Sequence, residues 1–308
     1  DSINRYPEPQ PNALLDIFSG LYDTKKENLF IGRGLDEAID TLVRTFCSAG
    51  VDSILTTPPT YGFYEISAQI QGAGVVEAPL NTDSFELDAK SVIEAATENV
   101  KLVFLCNPNN PTGNSIGESQ IFSIIEELSD KAIVVVDEAY IEFSSCESLI
   151  GQISQYPNLV VLRTLSKAYG LAGARCGVAV ANKPIIDLLQ KVRAPYPIST
   201  PVAELVTDVF SKPNVLNNVP TILENRTKLS MALEDSPLVT KVWPSDANFL
   251  LVKTTDSEKF KKMFSDEGII IRNRSDLLNL ENCVRITVGT DFEMNRFIEI
   301  LNINGEQS

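Results

Sequence analysis

The chain has 308 residues, 44% hydrophobic and 22% charged, a composition suited to an ordinary soluble globular protein with ample core. Its 26 basic and 41 acidic side chains leave a formal charge of −15, which argues against nucleic acid or an anionic membrane as main partner. Histidine is absent, so Ser-His-Asp and Cys-His catalysis and the His-containing zinc sites are excluded, and no run approaches the roughly 20 apolar residues of a membrane span.

Strand-like and helical segments alternate, which predicts an α/β fold with a largely parallel sheet. Asp36 to Phe46 places Ala38, Ile39, Leu42, Val43 and Phe46 on one helical face, and this reads as the first helix. Ser53 to Thr57 reads as a strand stopped by Pro58-Pro59. Val100 to Cys106, Ile133 to Val136 and Leu159 to Arg163 are apolar runs that fit strands buried on both faces. A helix is predicted from Glu118 to Leu128. Longer helical patterns follow Pro197, over Pro201 to Phe210 and Val215 to Leu233. Beyond Val239 the texture alternates again. Strands are expected at Ala247 to Val252, Gly268 to Ile271 and Val284 to Val288, and helices at Ser257 to Glu267 and Phe292 to Ile303. A domain boundary is placed near Asp235-Ser236-Pro237, where the pattern changes.

The five cysteines (Cys47, Cys106, Cys146, Cys176, Cys283) are scattered and odd in number, and read as reduced core thiols of a cytosolic protein. The chain opens on Asp1 rather than methionine and runs straight into Asn4-Arg5-Tyr6-Pro7-Glu8-Pro9, so a missing natural N-terminus is expected.

The most informative stretch is Thr164 to Gly177. It sets Lys167 among small hydroxyl and glycine residues, with Arg175 eight positions on. A lysine there is a usable Schiff-base nucleophile when desolvated or near other cations. Thr164, Ser166 and Arg175 can hold a phosphate beside it, and that combination suits pyridoxal 5'-phosphate (PLP). Ligands of open parallel sheets bind beyond the carboxyl ends of the strands, and further clusters fall at such ends. Asp137, just past an apolar run, either pairs with a cation such as a protonated pyridine nitrogen or caps a turn. Tyr140 and the Asn110 amide can reach the ring's phenolic oxygen, although Asn107 to Gly113 also satisfies the demands of tandem turns. Gly34-Leu35-Asp36 opens a helix whose free N–H groups make an anion site or an ordinary N-cap. Tyr61 stacks on a planar cofactor or is core. Arg272 and Arg285, charges at or within apolar strands, pair with an internal acid or bind a ligand carboxylate.

Together these segments resemble the fold-type I PLP enzymes and, within them, the histidinol-phosphate aminotransferase family, over the length of the chain. The resemblance rests on Asn4 to Pro11, Pro59 to Gly62, Pro108 to Gly113, Asp137 to Phe143, Arg163 to Gly177, Ala194 to Pro201 and Val284 to Thr290. The Tyr-Ile-Glu-Phe (140–143) and Ala-Pro-Tyr-Pro (194–197) segments are its more specific marks.

The resemblance implies a large PLP-binding domain over 28–235, with a mostly parallel central sheet flanked by helices. It also implies a smaller α+β domain over 236–308 and an N-terminal segment, 1–27, that packs on the small domain or a dimer partner. Lys167 would be the Schiff-base lysine and proton shuttle, Asp137 the partner of the pyridine nitrogen, and Asn110 and Tyr140 contacts of the ring oxygen. Tyr61 would stack on the ring. Ser166, Thr164, Arg175 and the Gly34-Leu35-Asp36 backbone would hold the cofactor phosphate, joined by Tyr6 of a homodimer partner. Arg285 would bind the substrate carboxylate position and Arg272 the substrate phosphate, with Asn110 also among the substrate-binding residues. The implied reaction passes an amino group between histidinol phosphate and 2-oxoglutarate, giving imidazole-acetol phosphate and glutamate in cytoplasmic histidine biosynthesis. The family has several dozen residues before Asn4, including an arm that covers the substrate. The competing readings are an aromatic amino acid aminotransferase of the same lineage and a PLP decarboxylase of a phosphorylated amino acid. A PLP-binding transcription regulator would need an added DNA-binding domain and a basic patch, and a catalytically dead scaffold sits poorly with the retained Lys167, Asp137 and Arg175.

Overall fold

The structure, a computed structural model, describes residues 3–305. In chain order the elements are α1 (Asn12–Leu21), β1 (Leu29–Gly32), α2 (Leu35–Phe46), β2 (Ser53–Thr56), α3 (Phe63–Gln71), β3 (Gly74–Glu77) and α4 (Ala89–Ala95). They continue with β4 (Val100–Cys106), α5 (Glu118–Glu127), β5 (Ile133–Asp137), β6 (Leu159–Thr164), β7 (Gly177–Ala181), α6 (Lys183–Val192), α7 (Thr200–Phe210) and α8 (Val219–Glu234). The last are β8 (Val239–Val242), β9 (Phe249–Thr254), α9 (Ser257–Asp266), β10 (Arg272–Asn273), β11 (Cys283–Thr287) and α10 (Asp291–Gly305).

Seven strands form one sheet in the order β1-β7-β6-β5-β4-β2-β3. Strands β2 to β6 pair in parallel, while β7 lies antiparallel between β6 and β1. All strands but β7 therefore run one way, and their carboxyl ends open on a single edge. The central strands carry the continuous Val/Ile/Leu runs because helices cover both faces and leave no strand side for water. Register then sets the edge: Cys106 pairs with Asp137 and Asp137 with Leu162, while Thr164 and Gly32 both pair with Gly177.

The remaining strands form a four-stranded antiparallel sheet, β10-β11-β9-β8. Its apolar face packs Leu250, Val252, Val284 and Ile286 against Phe264 of α9 and Phe297 of α10 to build a second core. Leu229 and Leu233 of α8 join that core, so it reaches back across position 235 in the chain.

Several local expectations are corrected. Helix α1 precedes α2, so the helix after Gly34 is the second rather than the first. The helix expected from Val215 starts at Val219, because Pro220 has no N–H to donate and is tolerated only in a first turn. The strand expected at Gly268 to Ile271 is displaced to Arg272–Asn273. Gly268 (φ +79) ends the turn after α9, and Ile269 and Ile271 pack on the second core while Ile270 is 83% exposed. The run gains a cross-strand partner only where Arg272 meets Arg285.

Candidate functional site

A cavity of about 490 Å³ opens at the carboxyl edge of the large sheet, where the β10–β11 edge of the small one closes over it. Asp137, the last residue of β5, lies at its floor and is 3% exposed. One carboxylate oxygen accepts the Ala139 N–H at 3.1 Å, a local turn of the kind an aspartate makes anywhere. The other accepts the Tyr64 hydroxyl at 2.8 Å. Among the described residues it has no ion-pair partner, and burial raises its pKa to about 6 despite these two donors and the nearby Lys167. A buried carboxylate of this kind has capacity for one more cationic donor.

The opposite end of the cavity is an anion cradle. Helix α2 begins at Gly34 with no side chain capping its first N–H groups, and Leu35 and Asp36 face the cavity. Gly34 has φ +76, and a Cβ there would lie 2.7 Å from the Arg175 guanidinium. A Cβ on Gly177 would lie 2.8 Å from the backbone of Gly34 and Leu35, so glycine at both positions lets strand and helix meet. Arg175 adopts a left-handed backbone (φ +49), a conformation costing roughly 1–3 kcal/mol at a non-glycine residue. Its side chain then reaches Asp36 at 3.0 Å. The other Asp36 oxygen accepts the Tyr61 hydroxyl at 3.0 Å, which fixes that ring at the cavity wall and raises its pKa beyond the burial effect. Thr164 and Ser166 complete this end; the Ser166 N–H bonds to Thr164 Oγ1 at 3.1 Å.

Between the two ends, Lys167 extends over the Tyr140 ring, with Nζ 5.2 Å from its centroid. Partial burial, then the Arg285 guanidinium, lower its pKa below the ordinary lysine value, against the pull of Asp137. Arg285 donates to Asn110 Oδ1 at 2.7 Å and lies over the Phe249 ring. Arg272 and Arg274 stand beside it on the cavity wall.

Of the residues expected here from sequence, Leu35, Asp36, Tyr61, Asn110, Asp137, Tyr140, Thr164, Ser166, Lys167, Arg175, Arg272 and Arg285 all line this cavity. Gly34 lies just behind it against Arg175. Tyr6 lies elsewhere: it is 84% exposed and stacks on Tyr196 at 4.9 Å. The Asn-Pro-Asn-Asn-Pro-Thr-Gly segment divides its labour. Asn107 and Asn109 tie the loop together by bonds to Ile116, Pro59 and Thr112, and Asn110 alone of these asparagines faces the cavity. Two further residues contribute beyond those expected from sequence. Tyr64 reads as a core aromatic of α3 until folding sets it against Asp137, whereas Arg274 is signalled by the Arg-Asn-Arg spacing after the Ile269–Ile271 run.

An aminotransferase class I and II family model matches residues 1–301, and the chain belongs to that family. Histidinol-phosphate aminotransferase 1 of Pasteurella multocida is 45% identical over 303 residues, covering 97% of this chain and 86% of that protein. The histidinol-phosphate aminotransferase structure from Clostridium acetobutylicum matches the fold with a TM-score of 0.91 at 23% identity, over 100% of this chain and 92% of that one. The Sinorhizobium meliloti histidinol-phosphate aminotransferase, solved in complex with pyridoxal-5'-phosphate, matches with a TM-score of 0.86 at 26% identity, over 98% and 84%.

Proposed function

We propose that this protein is a PLP-dependent transaminase that moves the amino group of histidinol phosphate to 2-oxoglutarate, yielding imidazole-acetol phosphate and glutamate in histidine biosynthesis. The observation that carries the reading is one cavity holding a cation-deficient buried carboxylate, a lysine of lowered pKa, an anion cradle and a row of arginines. The similarity to histidinol-phosphate aminotransferases supports the choice of substrate.

The residues present fit PLP. Asp137 would pair with the ring nitrogen, and the α2 N-terminus with Thr164, Ser166 and Arg175 would hold the phosphate. Tyr61 would stack on the ring, and Asn110 and Tyr140 would bond the ring oxygen. When bound, PLP supplies an electron sink for the charge left at the substrate carbon. Lys167, with its proton loosely held, is the covalent attachment point and the base that takes the proton from the substrate α-carbon. Arg285, braced by Asn110, orients a carboxylate at the α position, and Arg272 takes the substrate phosphate.

The active species is a cytoplasmic homodimer in this reading, with Tyr6 completing the partner's phosphate site. Its exposure supports a role outside its own subunit. A larger groove of about 930 Å³ runs alongside, and Asp36 and Arg175 of the cradle are part of its wall. The free cysteines suit a reducing compartment. Visible absorbance of the protein mixed with PLP tests the reading. A bound-cofactor band that changes with histidinol phosphate and returns with 2-oxoglutarate is expected. A band answering only phenylalanine would shift the assignment to an aromatic aminotransferase, and no band would overturn it.

A further inference from the structure

Apart from Arg175 of the cradle, three arginines line the cavity, and the proposed reaction, taken up here as the basis, has so far used two of these three. Arg272 and Arg285 are direct cross-strand partners, an arrangement in which like charges repel. Arg274 follows Arg272 by two residues, and strand alternation returns it to the same side. Its backbone N–H bonds to the Cys283 carbonyl at 2.9 Å, which continues the β10–β11 pairing. Asn273 between them points away, its amide bonding to Ser257 Oγ at 3.3 Å and to Glu258.

Among the described residues, Arg272 and Arg274 have no side-chain hydrogen bond or ion pair, and Arg285 has no acid. The Nε atoms of Arg274 and Arg285 are buried without a partner. Clustered cations with unmet donors raise the free energy of the hairpin, and an anion relieves both terms. One carboxylate engages one guanidinium in a bidentate pair. A phosphate monoester, with about two charges and three oxygens at neutral pH, can engage more than one. The Arg-Asn-Arg spacing thus supplies a further guanidinium beside the one aimed at the substrate phosphate.

We propose that Arg274 is a specificity-determining residue that engages the distal anion of the substrate, so that the site selects amino donors and acceptors carrying a phosphate monoester or second carboxylate over apolar ones of similar size. Glutamate and 2-oxoglutarate then share with histidinol phosphate a common requirement for this group.

The test uses PLP-loaded wild-type, Arg274→Gln and Arg274→Lys proteins, titrated calorimetrically with inorganic phosphate, glutarate and 3-phenylpropionate. These are two probes able to carry a second charge and one monocarboxylate, none of them an amino donor. In Arg274→Gln, phosphate and glutarate are expected to weaken by roughly 10- to 100-fold, the scale of a charged hydrogen bond, while 3-phenylpropionate keeps its wild-type affinity. Arg274→Lys is expected to recover part of the loss. Equal weakening of all three probes, or no weakening of phosphate and glutarate, would overturn the proposal. Failure of the wild-type enzyme to transaminate histidinol phosphate would instead strike the functional reading, and the titrations would still decide the role of Arg274.

Discussion

At the scale of single residues, Asp137 and Lys167 are set by desolvation acting in opposite senses on opposite charges. Burial raises the acid toward 6 and lowers the lysine, so in each the charged form is destabilised until a partner arrives. For PLP-free protein this has a consequence for stability. A folded pKa near 6 against the ordinary aspartate value of 3.8 means the fold binds that proton more tightly than the unfolded chain does. The stabilisation is present below pH 3.8 and lost as pH rises through 6. Glu138, raised to about 7 from 4.5 by burial against the opposing effect of Arg163, adds a loss of the same sign over its own window. Asp137→Asn should therefore raise the melting temperature of PLP-free protein at pH 7, by at least about 2 °C. The same change should weaken PLP by roughly 100-fold or more, the scale of removing one partner of a buried ion pair. Scanning calorimetry and cofactor titration measure the two effects; a lower melting temperature would show that the carboxylate is already stabilised without PLP. Lys167→Ala should abolish turnover and leave PLP removable by dialysis, and measurable transamination in that variant would refute the role assigned to the lysine.

At the scale of elements, the meeting of β7 with the start of α2 decides whether a phosphate cradle exists. The two nearest contacts, at 2.8 Å, are backbone atoms of Gly34 and Leu35, so moving a side chain does not make room for a methyl group on Gly177. Gly177→Ala should cost about 1–3 kcal/mol by overpacking and weaken PLP at the same time. Gly34→Ala adds left-handed strain and a clash with the Arg175 guanidinium, and should weaken PLP with a smaller loss of stability. Urea unfolding beside a PLP titration separates the two, and wild-type PLP affinity in both variants would remove α2 from the cofactor site. Within β6, Arg163 is buried between Glu138 at 3.4 Å and Glu142 at 2.7 Å and stacks on Tyr22. The Tyr-Ile-Glu-Phe segment therefore helps position the loop that presents Tyr140, as well as carrying the family resemblance.

At the scale of the whole molecule, the large sheet supplies the floor of the cavity and the small sheet its arginine wall. Contacts such as Asp246 N–H to the Gly113 carbonyl at 2.7 Å join the two. Because Leu229 and Leu233 of α8 complete the second core, a fragment starting at 219 should fold where one starting at 236 does not. Circular dichroism of both fragments checks this, and a folded 236–305 fragment would place the boundary at 235. If Tyr6 serves the partner's site, Tyr6→Phe should weaken PLP by about 10-fold, and apparent PLP affinity should fall on dilution into the monomer range. Analytical ultracentrifugation alongside the titration decides it; a monomer with undiminished PLP affinity would end the cross-subunit role.

The sequence by itself determined the apolar strand run that leads into Asp137, the lysine stretch after β6 and the glycine-opened helix. Those signals are local: apolar runs, a lone lysine among small residues, and glycines where side chains cannot fit. Their common place at one sheet edge follows from parallel pairing, which the alternating pattern already implied. Only the tertiary structure decided that Tyr64 of α3 would bond Asp137 and that Asn110 alone among its neighbouring asparagines would face the cavity. It likewise placed Arg272, Arg274 and Arg285 side by side. Each depends on a contact between segments far apart in the chain, where burial and register, rather than local propensity, choose the direction of a side chain. The strand at Arg272 shows the same limit: an apolar run predicts extended backbone, but only a cross-strand neighbour makes it part of a sheet.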